Sequence, residues 1–294
     1  MPYLYAHALH GYCVQDRLPK SAYEMTKRHM DAFLLGLYGP DVYFGDRLPP
    51  PPFARHQKAL GSELHAAPGD GLFAVLFQLA SADERAFSYV LGFLCHFALD
   101  CNMHPYIESQ HTGNDHTRLE MRQDLVVRAC AGDKRLFFPP NELYRVEHAV
   151  RMADALHTSL FYELGGRRTA GVFTRASRKW QRVQPLLYDP HGGKLRFLRF
   201  AERALRLRPG KLSGFLMTTG SEDMQALFNI EHAEWRAPWA PDEARSESYF
   251  ELFDNAIADA VRIATAAMAG RKTRDFSEAL NLIGERSMDG TRAL

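Results

Sequence analysis

Cysteine is scarce and scattered in this 294-residue sequence: Cys13, Cys95, Cys101 and Cys130 form no C-x-x-C pair and no dense framework. That excludes a disulfide-stapled scaffold and predicts free, buried thiols. An excess of charge of one sign is also missing. The formal net charge of +1 gives no global pull toward nucleic acid or membrane. Long apolar runs are few. Gly71–Ala80 and Phe87–Leu99 are the strongest, both are too short to cross a bilayer, and the second contains His96, so no transmembrane segment is expected. The opening residues MPYLYAHALHGYC lack a basic region followed by an apolar one, which makes a cytoplasmic location the expectation; a mature chain stripped of a leader reads the same way. Strand signals are nearly absent, with no Asn-Gly turn between alternating runs and only short Val/Ile/Thr stretches. No internal repeat is visible.

What is present is a helical chain of ordinary globular composition, 46% hydrophobic and 24% charged, long enough for a substantial core. Ser21-Ala22-Tyr23-Glu24 reads as a capping box opening a helix with apolar Met25, Met30, Phe33, Leu34 and Leu37, closed by Gly36 and Gly39. A second box, Ser81 to Glu84, predicts a helix that runs to about His104 and stops at Pro105. A third, Ser248 to Glu251, opens an alanine-rich helix ending near Gly270. Further helices are predicted near 53–66, 115–131, 141–164, 194–207 and 274–284, and the prolines between Leu48 and Phe53 predict a stiff connector. The fold class expected is all-α, a single-domain helical bundle over residues 1–294.

Charge is uneven within that domain. Residues 167–211 hold 13 Lys or Arg against two acids, Asp189 and Glu202. The stretch reads either as a solvated helical face or as a rim attracting an anionic substrate or membrane surface.

The strongest chemical signal is Gly92-Phe93-Leu94-Cys95-His96-Phe97-Ala98-Leu99-Asp100, followed by His104 and Pro105. Residues four apart on a helix share a face, so His96 and Asp100 can reach one ion, with His104 one turn farther on. His116 and Glu120 form a second pair of the same spacing. Two neighbouring helices can then aim imidazoles and carboxylates at one another across a bundle interior. Burying His96 and Asp100 among Phe93, Leu94, Phe97 and Leu99 without partners is costly, which favours a metal over a surface pair. Imidazoles with a few carboxylates suit zinc, although ligand type alone does not separate zinc from manganese.

Upstream, His7 follows Ala6, Gly39-Pro40-Asp41-Val42-Tyr43-Phe44 follows a helix, and Gly61-Ser62-Glu63-Leu64-His65 ends the next. Farther on come Phe228-Asn229-Ile230-Glu231-His232 with Trp235, and Ser248 to Leu252. Together with the helical pairs, this order resembles the zinc-dependent phospholipase C family, over most of the chain, with a basic, less family-like insert at 165–215. The resemblance implies two or three zinc ions in the interior of the bundle. Asp41, His65, His96 and Asp100 would hold one, and His104, His116 and Glu120 a second. His7 would hold a third, bridged by Asp100. Secreted relatives complete that third position with an amino-terminal tryptophan. Here Met1-Pro2-Tyr3 departs from the pattern, leaving His10, the terminus or a weaker site.

The implied activity is metal-dependent hydrolysis of a phosphoester, with zinc-bound hydroxide attacking phosphorus in line. Asp41 is the expected general base, with a ligand-only role as the alternative. Tyr43 and Phe44 are expected either to wall the substrate pocket or to pack in the core. The expected partner is a phosphoester substrate of the phospholipid type, with peripheral membrane contact through 167–211. Related helical zinc nucleases use the same arrangement, so a single-strand nuclease or nucleotidase and a zinc-stabilised, non-catalytic binding module stay open as alternatives.

Overall fold

The computed structural model describes residues 4–47, 55–110, 115–136, 138–139, 149–189, 191–216 and 224–291. Among them there is no named strand, only an isolated antiparallel bridge between Trp235 and Arg245. The helices are α1 (Leu4–Gln15), α2 (Lys20–Arg28), α3 (Met30–Tyr38), α4 (Arg55–Ala66), α5 (Gly69–Ala80), α6 (Glu84–Gln110), α7 (Asp115–Ala131), α8 (Val150–Gly165), α9 (Val172–Leu187), α10 (Gly193–Ala204), α11 (Met224–Phe228), α12 (Tyr249–Thr273) and α13 (Ser277–Ile283). A 3₁₀ stretch, Gly39–Arg47, follows α3.

The expected all-α bundle is what the chain forms, with several boundaries moved for local reasons. The predicted first helix is two, α2 and α3. The chain bends at His29 (φ −113°), whose carbonyl is taken by the Ser88 hydroxyl of α6 at 3.3 Å. Ser81 ends α5 instead of opening α6. The cap of α6 is Asp83, whose carboxylate accepts from the Arg85 and Ala86 amides. Ser248 and Glu251 do form the predicted reciprocal box at the start of α12. Pro105 does not stop α6, which continues to Gln110. Proline removes one helical hydrogen bond. Burial of Tyr106 and Ile107, with the Tyr106 ring edge-on to Trp235, holds the last turns in place. The proline-rich run 48–53 and residues 141–148, the first third of the helix predicted at 141–164, lie outside the described residues.

Helix α6 is the axis of the molecule, packed by α1, α3, α5, α7, α8 and α12. It is long and apolar enough to cross a membrane, but 89% of its most apolar window is buried inside the protein, which makes it a core helix. Its closest neighbour is α3, and two glycines set that approach. A Cβ on Gly36 would lie 2.9 Å from the Gly92 Cα and a Cβ on Gly92 would collide with the Phe33 carbonyl, so the two backbones touch where side chains would otherwise separate them. Gly36 thus serves the crossing and Gly39 alone ends α3.

Candidate metal centre

The glycine crossing positions the first ligand candidate. One turn beyond Gly92, the His96 Nδ1 meets the Leu37 carbonyl of α3 at 3.0 Å. That contact commits Nδ1 to the backbone and leaves Nε2 facing inward. Asp100 lies one turn farther along the same face, fully buried. Gly39 (φ +44°) then turns the chain back over His96, where a Cβ would lie 3.2 Å from the ring, and the next residues deliver Asp41. From the end of α4 comes His65, with Nδ1 committed to the Gly61 carbonyl at 2.7 Å. Helix α1 contributes His7, whose ring stacks on His96 with centroids 4.1 Å apart and an 11° tilt.

These five side chains converge. His96 Nε2 is 3.1 Å from an Asp100 oxygen and 3.8 Å from Asp41. His65 Nε2 is 3.2 Å from Asp41 and 3.5 Å from Asp100, and His7 Nε2 is 3.4 Å from the other Asp100 oxygen. Two sets of donor atoms, from His7, Asp41 and His96 and from His65, His96 and Asp100, each lie within 4.8 Å of one another. Close as they are, the three Nε2 atoms, both Asp100 oxygens and one Asp41 oxygen have no aligned hydrogen-bond partner among the described residues. Buried polar atoms are normally paired, and a nest of orphaned imidazole and carboxylate donors aimed at one point is what a cation satisfies. The donor set therefore fits zinc: imidazole nitrogen and carboxylate oxygen, with the outer nitrogens of His65 and His96 already oriented.

Charge in the nest is unevenly shared. Burial opposes ionisation of Asp100, but the charges of His96 and His104 and contacts with His65 and His7 hold its carboxyl well below the usual range. Burial also works against the His65 cation, yet the Asp100 and Asp41 carboxylates outweigh it and lift the imidazole to about 9. His7 is pushed down by burial and by neighbouring His96. Asp41 is the carboxylate nearest solvent, its side chain 11% exposed against 0% for Asp100.

The second expected ligand group is described in part. His104 is buried one turn beyond Asp100, with its Nδ1 on the Met288 carbonyl, and Glu120 is buried on α7. His116 belongs to the first turn of α7, but its side chain falls outside the described residues. His10 is fully buried, edge-on to Phe253, with burial pushing it down to about 3. Met1 to Tyr3 lie outside the described residues.

Of the two aromatics expected near the substrate, Phe44 borders the centre, its ring 5.2 Å from that of His65. Tyr43 does not. It is fully buried, packed against Phe161 and Phe173, with its hydroxyl 3.1 Å from His157 Nδ1. The other His157 nitrogen meets the Tyr89 hydroxyl at 2.6 Å, and burial drives this imidazole down to about 3. A neutral ring carries one proton, so it donates to one tyrosine and accepts from the other. His232, of the 228–235 motif, lies at the surface with Nδ1 3.1 Å from the Ser246 carbonyl, neither in the core nor at the centre.

Sequence reasoning missed two supports. Asp124, one turn after Glu120 on α7, accepts the Ala6 amide at 2.6 Å and so ties down the start of α1 just before His7. Its spacing from Glu120 was the available signal. The segment after α13 crosses the outside of the centre: Met288 takes His104, and the Asp289 amide donates to the His65 carbonyl at 3.1 Å. No short-range pattern announces such a strap. All four cysteines are free, as expected, but only Cys95 is buried; Cys13 and Cys101 are partly buried and Cys130 is exposed.

No curated protein and no solved structure matches this chain. The family model described as zinc dependent phospholipase C matches residues 3–163. That span holds all eight expected ligands and the five helices α1, α3, α4, α6 and α7 that carry or orient them. The stretches 228–235 and 248–252 and the basic segment lie beyond it. Covering more than half of the sequence, the match shows that the chain belongs to the zinc-dependent phospholipase C family.

Proposed function

We propose that this protein hydrolyses a phosphodiester of the phospholipid type at a centre of two or three zinc ions. The observation that carries this reading is the convergence of His7, His65 and His96 with Asp41 and Asp100 on buried, orphaned donor atoms. His7, Asp41, His65, His96 and Asp100 would hold metal there, with His104, Glu120 and His116 as the second group. Zinc in such a donor set supplies Lewis acidity, making water a better nucleophile at neutral pH and drawing charge from phosphoryl oxygens.

The remaining roles belong to the chain. Asp100, fully enclosed, serves as a shared anionic anchor, whereas Asp41 has the solvent access needed to take a proton from an incoming water. Leu37, Gly61 and Met288 carbonyls fix which imidazole nitrogen faces inward. Phe44 provides an apolar border beside His65. The family description supports phospholipid as the substrate class, and the basic 167–211 segment suits an anionic surface.

Metal analysis combined with a phosphoester panel tests this. Purified protein should carry about two or three zinc equivalents and cleave a chromogenic phosphocholine. His96→Ala should lower both metal content and turnover, by more than the roughly 10–100-fold that loss of an outer-shell partner costs. Metal-free protein with full activity would overturn the proposal. Bound zinc without turnover would favour the binding module, and cleavage of single-stranded nucleic acid in preference to lipid would favour the nuclease.

A further inference from the structure

The four most exposed large apolar side chains among the described residues fall close together in sequence: Leu186 (66%), Phe197 (68%), Phe200 (69%) and Leu205 (65%). Single exposed apolar residues are ordinary, but two phenylalanines this exposed on one face of one helix mark an interaction surface. Phe197 and Phe200 are three residues apart on α10 and share its outer face, while Leu195 and Leu198 turn inward and are partly buried.

That orientation is locked. On the inner face Glu202 accepts from the Gly210, Leu212 and Ser213 amides and from the Ser213 hydroxyl, at 2.6–3.0 Å. At the other end Lys194 donates to the Pro185, Leu186 and Tyr188 carbonyls, and Asp189 caps the helix through the Leu195 amide at 2.8 Å. Rolling Phe197 and Phe200 into the protein would break all of these contacts. The helix therefore presents its aromatic pair outward by construction.

The same contacts settle the charge of the surface. Asp189 and Glu202 are the only acids in 167–211, and both are buried and engaged as acceptors. Arg196, Arg199 and Arg203 are exposed beside the aromatic pair. Arg199 and Arg203, with Arg122 of α7, line a cleft of about 550 Å³ under the helix. An apolar stripe flanked by arginines, with no outward acid, complements a layer whose surface is anionic and whose interior is hydrocarbon.

We propose that α10 is an interfacial anchor, lying on an anionic lipid bilayer with Phe197 and Phe200 inserted at the headgroup boundary. This goes beyond the hydrolytic reading, because adsorption requires no turnover and involves none of the metal-binding side chains.

Co-sedimentation of the zinc-loaded full chain with phosphatidylcholine vesicles, with and without phosphatidylserine, provides the test. Phosphatidylserine should raise binding and high salt should reduce it. Phe197→Ser with Phe200→Ser should lower partitioning by at least about tenfold, and Arg196→Gln should lower the preference for phosphatidylserine roughly fivefold. Because both phenylalanines are exposed, the helical circular dichroism of the double variant should match that of the wild type. Turnover of a short, soluble phosphoester should be unchanged, which separates loss of anchoring from loss of catalysis. Absence of wild-type binding, or equal binding by the double variant, overturns the proposal. So does a wild-type dimer that the double variant dissociates, since the stripe would then be a self-association face.

Discussion

At the scale of single residues, His65, His96 and His104 each surrender Nδ1 to a backbone carbonyl, so the fold chooses which nitrogen looks inward, while His7 is held by stacking on His96. Asp124 shows the same economy from the other side, since one buried carboxylate fixes the start of α1. Burial raises this carboxyl from 3.8 to about 7, against the pull of the Tyr5 and Ala6 amides and Arg128. Between those values the folded protein holds a proton that the unfolded chain has released. The stabilisation is complete below 3.8 and is lost as pH rises through about 7. Asp124→Asn keeps an acceptor for Ala6 without titrating. In urea titrations at equal zinc, the stability of wild type relative to Asp124→Asn should therefore fall as pH rises across that window; a flat or rising difference would refute the assignment. His96 and Asp100 were legible in the sequence because helical periodicity is short-ranged. Asp41 and His65 sit at a turn and a helix end, where spacing alone is mute, and they became legible through resemblance. Of the two readings open for Tyr43, the core one holds, for a physical reason. On a 3₁₀ stretch each residue advances about a third of a turn, so a neighbour two places from Asp41 faces elsewhere.

At the scale of elements, the contact between α3 and α6 matters most, because it brings the Leu37 carbonyl to His96. Gly92→Ala should destabilise the fold by about 3 kcal/mol, since the added carbon meets backbone and cannot be relieved by a side-chain rotation. The shift in denaturant midpoint measures this, and zinc affinity should fall with it. An unchanged midpoint would mean that the helices separate freely. Helix identity was readable from apolar spacing, and α7 and α12 were placed closely. Some errors came at ends where tertiary contacts overrule local signals, as at Ser81 and Pro105, and α1 and α5, which open with no side-chain capping signal, were not predicted at all. Helix α9 was missed because its three arginines and one lysine hide the apolar face that Phe173, Ala176 and Val183 bury.

At the scale of the whole molecule, the metal candidates come from α1, the turn after α3, α4 and α6, and α7 adds Glu120. A cation bound among them cross-links elements that otherwise bury donor atoms without aligned partners. Chelation should thus lower the unfolding temperature cooperatively and restoration of zinc should recover it, as followed by helical circular dichroism. An unfolding temperature indifferent to chelator would mean that the core alone carries the fold. The single axis of α6 explains why one all-α domain was readable from composition and capping. The strap over the centre was not, because its contacts join residues far apart in sequence.

That strap also sets an order of events. His104 receives its carbonyl partner from Met288, 184 residues later, and the Asp289 amide closes over the end of α4. During synthesis, α1 through α7 can emerge and collapse with most ligands in hand while this outer wall does not yet exist. The centre is finished by a segment synthesised long after α7, so the half-made chain offers an accessible, incompletely oriented nest. Its final geometry, and any activity it has, is deferred until translation has passed residue 289.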